Sequence, residues 1–209
     1  INSLPVSETL AMAAKARELK NQGIDIIGLS LGEPDFNTPE FIKDAAIQAV
    51  KDNWNSYSPV DGYADLKEAI CQKFKRDNGL DYKPSQVVVS TGAKQSIANL
   101  CMVLLDPGDE VLLPAPYWVS YSAIATLAEA KSIIIPSSIE TDFKITPEQL
   151  EAAITPKTKL IMFNSPNNPS GTIYTEAEYR ALGKVLEKHP DIYILSDEIY
   201  EHINYGTAH

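Results

Sequence analysis

The chain has 209 residues, with 28 acidic against 18 basic side chains and a formal net charge of −10. That balance argues against a nucleic-acid backbone or an anionic membrane surface as the main partner, because both repel such a chain at long range. Apolar residues at 44% and charged residues at 22% are the composition of a folded globular protein, enough for one ample domain or one plus part of another.

In chain order, Ser7 is predicted to cap a helix that runs to about Gln22 and stops at Gly23. The apolar run Ile24–Leu31 reads as a strand. Thr38-Pro39 is a cap followed by proline at the first helical position, and Phe41, Ala45, Ala46, Ala49 and Val50 recur at helical spacing. Asp61 opens a further helix, with Leu66, Ile70 and Phe74 on one side and Asn78-Gly79 closing it. The runs Gln86–Thr91, Glu110–Pro114, Lys131–Pro136, Lys159–Asn164 and Asp191–Ser196 are short and nearly continuously apolar, as strands buried on both faces are. Thr146-Pro147 starts a short helix, and Thr175 starts one that ends near His189-Pro190. From Gln86 onward strands and helices alternate, which predicts a three-layer α/β fold: a mostly parallel sheet with helices on both faces. The uncharged stretch Val111–Ala128 contains Pro114, Pro116, Ser120 and Ser122 and makes a poor membrane span. Cys71 and Cys101 sit in helical runs and read as buried reduced thiols. His189, His202 and His209 form no metal set. With no leader-like segment, a soluble cytoplasmic protein is expected.

Open α/β sheets bind ligands beyond the carboxyl ends of their strands, so the residues after each apolar run matter most. After Gln86–Thr91 come Gly92, Ala93 and Lys94. A glycine at a strand-to-helix turn lets backbone N–H groups and the positive helix end face a phosphate, although an ordinary turn looks the same. Lys94 either adds a charge there or points into water. After Glu110–Leu113, Pro114-Ala115-Pro116 leads to Tyr117 and Trp118, an aromatic pair that either stacks on a flat heterocycle or packs beneath the next helix. Asn164-Ser165-Pro166-Asn167-Asn168-Pro169-Ser170-Gly171 is a turn whose amides bond a ligand or their own backbone. Asp197, at the end of a buried strand, needs a partner: a protonated ring nitrogen, or a lysine or arginine of the protein. Tyr200 reaches the same place if a helical turn starts there. Together these features describe a site for a flat, phosphorylated, basic heterocycle.

The same residues resemble class I aminotransferases, the fold-type I pyridoxal-phosphate enzymes. The likeness rests on Leu31-Gly32-Glu33-Pro34-Asp35-Phe36, Tyr57-Ser58-Pro59 with Gly62, Ser90-Thr91-Gly92-Ala93-Lys94-Gln95, Pro116-Tyr117-Trp118, Asn164–Gly171 and Ser196-Asp197-Glu198-Ile199-Tyr200. Within the family the chain is similar to bacterial-type aspartate aminotransferases and their prephenate-using relatives. The resemblance implies pyridoxal 5'-phosphate as cofactor and transfer of an amino group between an L-amino acid, aspartate above all, and a 2-oxo acid such as 2-oxoglutarate. It implies that Gly92, Ala93 and Lys94 hold the cofactor phosphate, that Trp118 stacks on the ring, and that Asn168 and Tyr200 bond its phenolic oxygen. Asp197 then pairs with the ring nitrogen. Gly32 lies against the substrate, with Trp118 and Asn168, and Tyr57 reaches the partner subunit's phosphate across a homodimer interface.

The resemblance also implies that residues 1–30 form an N-terminal arm and part of a small domain, and residues 31–209 an incomplete cofactor-binding large domain. The lysine that forms a Schiff base with the cofactor, and the arginine that clamps the substrate carboxylate, belong in the family to segments beyond those matched here. Arg17, Arg76 and Arg180 lie in none of the site motifs, so the acidic substrate rests on resemblance alone. The alternatives are a catalytically inactive fragment or non-catalytic binding module, and a different pyridoxal-phosphate reaction such as β-elimination.

Overall fold

The helix punctuation before Val89 yields three helices in a computed structural model of the chain, which describes residues 8–29, 32–203 and 205. Of the described residues, those from 8 to 89 form one compact unit and those from Ser90 onward another. In the first, α1 spans Glu8–Asn21 and is followed by Gly23 at φ +80°; its expected cap, Ser7, lies outside the described residues. α2 spans Glu40–Lys51. Pro39 takes the capping position that the sequence assigns to Thr38, and no side chain caps the helix. α3 spans Ala64–Asn78, beginning after Tyr63 rather than at Asp61, and closes on Gly79 in the left-handed region. Asp61 has another employment. Its carboxylate pairs with Lys67, and its carbonyl accepts the N–H of Val89 at 3.0 Å. Beside it the backbone of Gly62, at φ +101°, passes so close to Val89 that a Cβ would lie 2.5 Å from Cγ2, so only glycine fits there.

Two strands expected in this unit are not formed. Residues 24–29 are irregular, and Ser30 and Leu31 lie outside the described residues. Pro84–Gln86 is a 3-10 turn, and the chain then runs extended at Val87 without joining a ladder. The reason is physical: an apolar run becomes a strand only when a neighbour satisfies its backbone, and Val88 is 67% exposed.

The second unit carries the regular alternation. Helix α4 (Ala93–Leu104) leads to strand β1 (Glu110–Pro114), α5 (Ser120–Leu127), β2 (Lys131–Ile135), α6 (Pro147–Ala153), β3 (Thr158–Asn164), α7 (Glu176–Leu186) and β4 (Tyr193–Asp197). The strands are all parallel in the order β2-β1-β3-β4. α6 and α7 start at capping boxes: Thr146 and Gln149 bond each other's backbone N–H, as do Thr175 and Glu178. α7 ends three residues before His189 and continues as turns closed by Lys188 N–H to Val185 and His189 N–H to Leu186.

Side chains alternate across the sheet. Val111, Leu113, Leu160, Met162 and Leu195 pack with Ile97 and Cys101 of α4 and Tyr121, Ile124 and Ala125 of α5. Leu112, Ile161, Phe163 and Ile135 pack on the other face with Leu150 of α6 and Leu182, Val185 and Leu186 of α7. The result is the expected three layers. Val111, Leu112 and Leu113 are fully buried, and each such side chain stabilises by about 1.5–3 kcal/mol. Both cysteines are free thiols, Cys101 buried and Cys71 half-buried; burial pushes the Cys101 thiol up to about 11, which leaves it unreactive. The uncharged stretch 111–128 is β1, a loop and α5, and among the described residues no helix is long and apolar enough to cross a membrane.

The chain leaves β1 through α5 to reach β2 on one side, and leaves β3 through α7 to reach β4 on the other. β1 and β3 are therefore neighbours whose connections diverge over opposite faces. A crevice forms at such a switch point, and here it lies beyond Pro114 and Asn164.

Candidate active site

Because the strands are parallel and in register, the segments that follow β1, β3 and β4 share one edge of the sheet. Asp197, the last residue of β4, is only 8% exposed. A buried carboxylate is costly unless it is answered. Two protein donors answer this one: the Tyr121 hydroxyl bonds Oδ2 at 2.6 Å, and the Ile199 N–H bonds Oδ1 at 3.2 Å. Among the described residues it has no ion-pair partner within 4 Å. The lysine or arginine allowed for in the sequence is replaced by a tyrosine. Tyr121 is 1% exposed; burial, then its bond to Asp197, push its phenol well above the usual tyrosine range.

Asn164 stands opposite Asp197 in the β3–β4 ladder and is buried. Its Nδ2 donates to the Asp197 carbonyl at 2.9 Å, and its Oδ1 accepts the Asn168 N–H at 2.7 Å. The Asn168 amide in turn donates to the Tyr200 hydroxyl at 3.0 Å. Tyr200 gets there without a helix, on turns closed by Glu201 N–H to Glu198 and Ile203 N–H to Tyr200. Asn167 serves its own turn: Oδ1 accepts from the Ser170 N–H and hydroxyl, and Nδ2 donates to the Pro116 carbonyl at 3.3 Å. Of the three asparagines, Asn168 is the one whose amide bonds the side chain of another site residue. The Ala115–Pro116, Ser165–Pro166 and Asn168–Pro169 bonds are cis.

Trp118 is half-buried ahead of α5, edge-on to Tyr121 at 5.5 Å between ring centroids. The Lys94 ammonium lies 4.8 Å from the centre of its indole. Lys94 is in the first turn of α4, where Gly92 has φ +81° and ψ 163° and no side chain caps the helix. That backbone conformation is essentially restricted to glycine, and the helix's first N–H groups are left for another acceptor. One line of contacts thus joins Lys94, Trp118, Tyr121, Asp197, Asn164, Asn168 and Tyr200. Gly32 and Tyr57 belong to the N-terminal unit, where both are exposed.

Residues 24–209 match the family model for aminotransferase class I and II. The chain belongs to that family. Among curated aminotransferases it is 53% identical over 203 residues to the aspartate/prephenate aminotransferase of Nitrosomonas europaea, covering 97% of this chain and 51% of that protein. It is 52% identical to the aspartate aminotransferase of Bacillus subtilis, covering 99% of this chain and 52% of that one. The crystal structure of aspartate aminotransferase from Rhizobium meliloti superposes with a TM-score of 0.95 at 47% identity, over 99% of this chain and 52% of the other. The Thermus thermophilus aspartate aminotransferase with maleate gives 0.95 at 43% identity, over 100% and 54%. The chain spans about half the length of the relatives it matches.

Two members of this candidate site escape a reading of the sequence. Tyr121 sits in an apolar helix and is bonded across 76 residues; the available signal is that a buried tyrosine hydroxyl usually demands a partner. Asn164 is visible as a polar residue ending a buried strand, but nothing local says that its amide faces inward.

Proposed function

We propose that the chain is the cofactor-binding part of a pyridoxal 5'-phosphate-dependent aminotransferase, which moves an amino group between an L-amino acid, aspartate by preference, and a 2-oxo acid such as 2-oxoglutarate. The observation that carries the reading is Asp197: a buried carboxylate with open acceptor positions and no ion-pair partner within 4 Å among the described residues, set beside an amide–phenol pair and an indole. This donor set fits the cofactor. A carboxylate suits a protonated ring nitrogen, an amide and a phenol suit a phenolic oxygen, an indole suits a flat ring, and an uncapped helix start with glycine suits a phosphate.

In this reading Asp197 holds the proton on the ring nitrogen, Asn168 and Tyr200 orient the ring through its phenolic oxygen, and Trp118 stacks on it. Gly92, Ala93 and Lys94 bind the phosphate, chiefly by backbone N–H groups. When bound, the protonated ring supplies an electron sink for the electron pair freed at the amino acid's α-carbon. Gly32 flanks the substrate together with Trp118 and Asn168. Tyr57, exposed on its own unit, contacts the phosphate of a partner subunit, so the working form is a homodimer. The reading includes a cytoplasmic location, in keeping with two unpaired cysteines.

The test uses the protein expressed from its whole gene and supplied with pyridoxal 5'-phosphate, aspartate and 2-oxoglutarate. Glutamate and oxaloacetate are the expected products, and Asp197→Ala is expected to lower turnover by about two orders of magnitude or more. Absence of cofactor binding by that protein would sink the reading.

A further inference from the structure

The stronger of the two donors to Asp197 comes from a residue outside every motif of the site. We propose that Tyr121 is a positioning residue for the cofactor ring, its hydroxyl fixing the rotation of the Asp197 carboxylate so that the open acceptor positions meet the ring nitrogen and keep it protonated. The inference rests on the reading of Asp197 given under the proposed function.

A carboxylate turns freely about its Cβ–Cγ bond unless something outside the residue holds it. The Ile199 N–H, at 3.2 Å and two residues away, turns with the same loop and is a weak hold. Tyr121 is independent of that loop. Its ring is buried in the core between sheet and helices, edge-on to Trp118, and its N–H bonds the Trp118 carbonyl at 3.0 Å. With its χ angles held by packing, the phenol delivers its proton to a fixed point, 2.6 Å from Oδ2. A carboxylate offers about four acceptor positions. The two donors occupy two of them and leave the rest facing in a set direction. The same tyrosine therefore registers the plate on which the ring would lie with the carboxylate that would hold its nitrogen.

A buried tyrosine that merely satisfies its own hydroxyl would have the same geometry, so the test needs a readout that packing does not move. Pyridoxamine 5'-phosphate labelled with 15N in the ring carries the ring and phosphate and forms no covalent bond to the protein. It is titrated into the protein expressed from its whole gene, as wild type, Tyr121→Phe and Asp197→Asn, and the ring 15N chemical shift is read at neutral pH. The wild type is expected to bind with the signal of a protonated ring nitrogen. Tyr121→Phe is expected to bind about tenfold more weakly, the usual scale for losing a residue that orients a binding group, with the 15N signal moved toward that of Asp197→Asn. Replacement of Tyr121 by 3-fluorotyrosine, which keeps the donor, should restore both. Should Tyr121→Phe fail to fold, 4-fluorophenylalanine at that position fills the hydroxyl's space without donating and is expected to give the same displacement. Weaker binding with an unmoved 15N signal, or no change in either, overturns the inference while leaving the proposed function standing. No binding to the wild-type whole-gene protein overturns both.

Discussion

Asn164 answers two backbone groups with one side chain, the carbonyl of Asp197 and the N–H of Asn168. Asn164→Ala strands the first in a buried place and the second in a half-buried one, and each unsatisfied buried group costs about 1–3 kcal/mol. Urea denaturation is therefore expected to show a loss of about 2–5 kcal/mol, large against the stability of an ordinary domain. At this scale some of the site is legible in the sequence and some is not. Asp197 stands out because a carboxylate that ends an apolar run is costly to bury and must be answered. Gly92 stands out as a glycine between an extended run and a helix, and its φ of +81° bears out the need for glycine there; that the turn faces a phosphate is not legible, because an ordinary turn reads the same. The direction of each asparagine amide is not legible, since Pro116, Asp197 and Tyr200 decide it from other segments. Tyr121 is hidden for the same reason, its partner being a strand end far along the chain.

Among the elements, those set by local chemistry can be read directly. Thr146-Pro147 and Thr175 mark helix starts because a capping box involves only four neighbouring residues. Thr38 and Asp61 mislead because their surroundings hand the capping position to Pro39 and Tyr63. The start of α7 is also tied to the approach to α6: the Lys144 ammonium, largely buried, pairs with Glu178 at 3.0 Å and Asp142 at 3.2 Å. Burial opposes both charges, but hydrogen bonds from the Thr175 N–H and Lys144 hold Glu178 below the usual carboxylate range, and bonds to Glu178 and Asp142 hold Lys144 above the usual lysine range. The Glu178 share of stability is thus present above the ordinary carboxylate range and is lost as pH falls through its lowered value. The Lys144 share is present below the ordinary lysine range and is lost as pH rises through its raised value. Lys144→Met should cost no more than about 1 kcal/mol at neutral pH, because Glu178 is partly exposed. In thermal melts that difference should vanish in strong acid.

At the scale of the whole molecule, burial is shared unequally. The second unit encloses Val111, Leu112 and Leu113 completely, while α2 and α3 bury no residue. Gln86–Thr91 reads as a strand because its valines suit burial on both faces, yet none of its residues is buried here, and strand formation depends on a backbone partner that composition cannot supply. The two tryptophans fall one to each unit, Trp54 edge-on to Tyr63 in the first and Trp118 beneath Lys94 in the second. Each unit therefore carries a single indole emitter. In a Trp54→Phe chain, adding pyridoxamine 5'-phosphate is expected to quench the remaining fluorescence, and an unchanged spectrum would count against a ring stacked on Trp118. Followed through denaturant, Trp54→Phe and Trp118→Phe give two separate optical records. From one 209-residue chain, the wavelength and intensity of emission then tell which unit lets water in first.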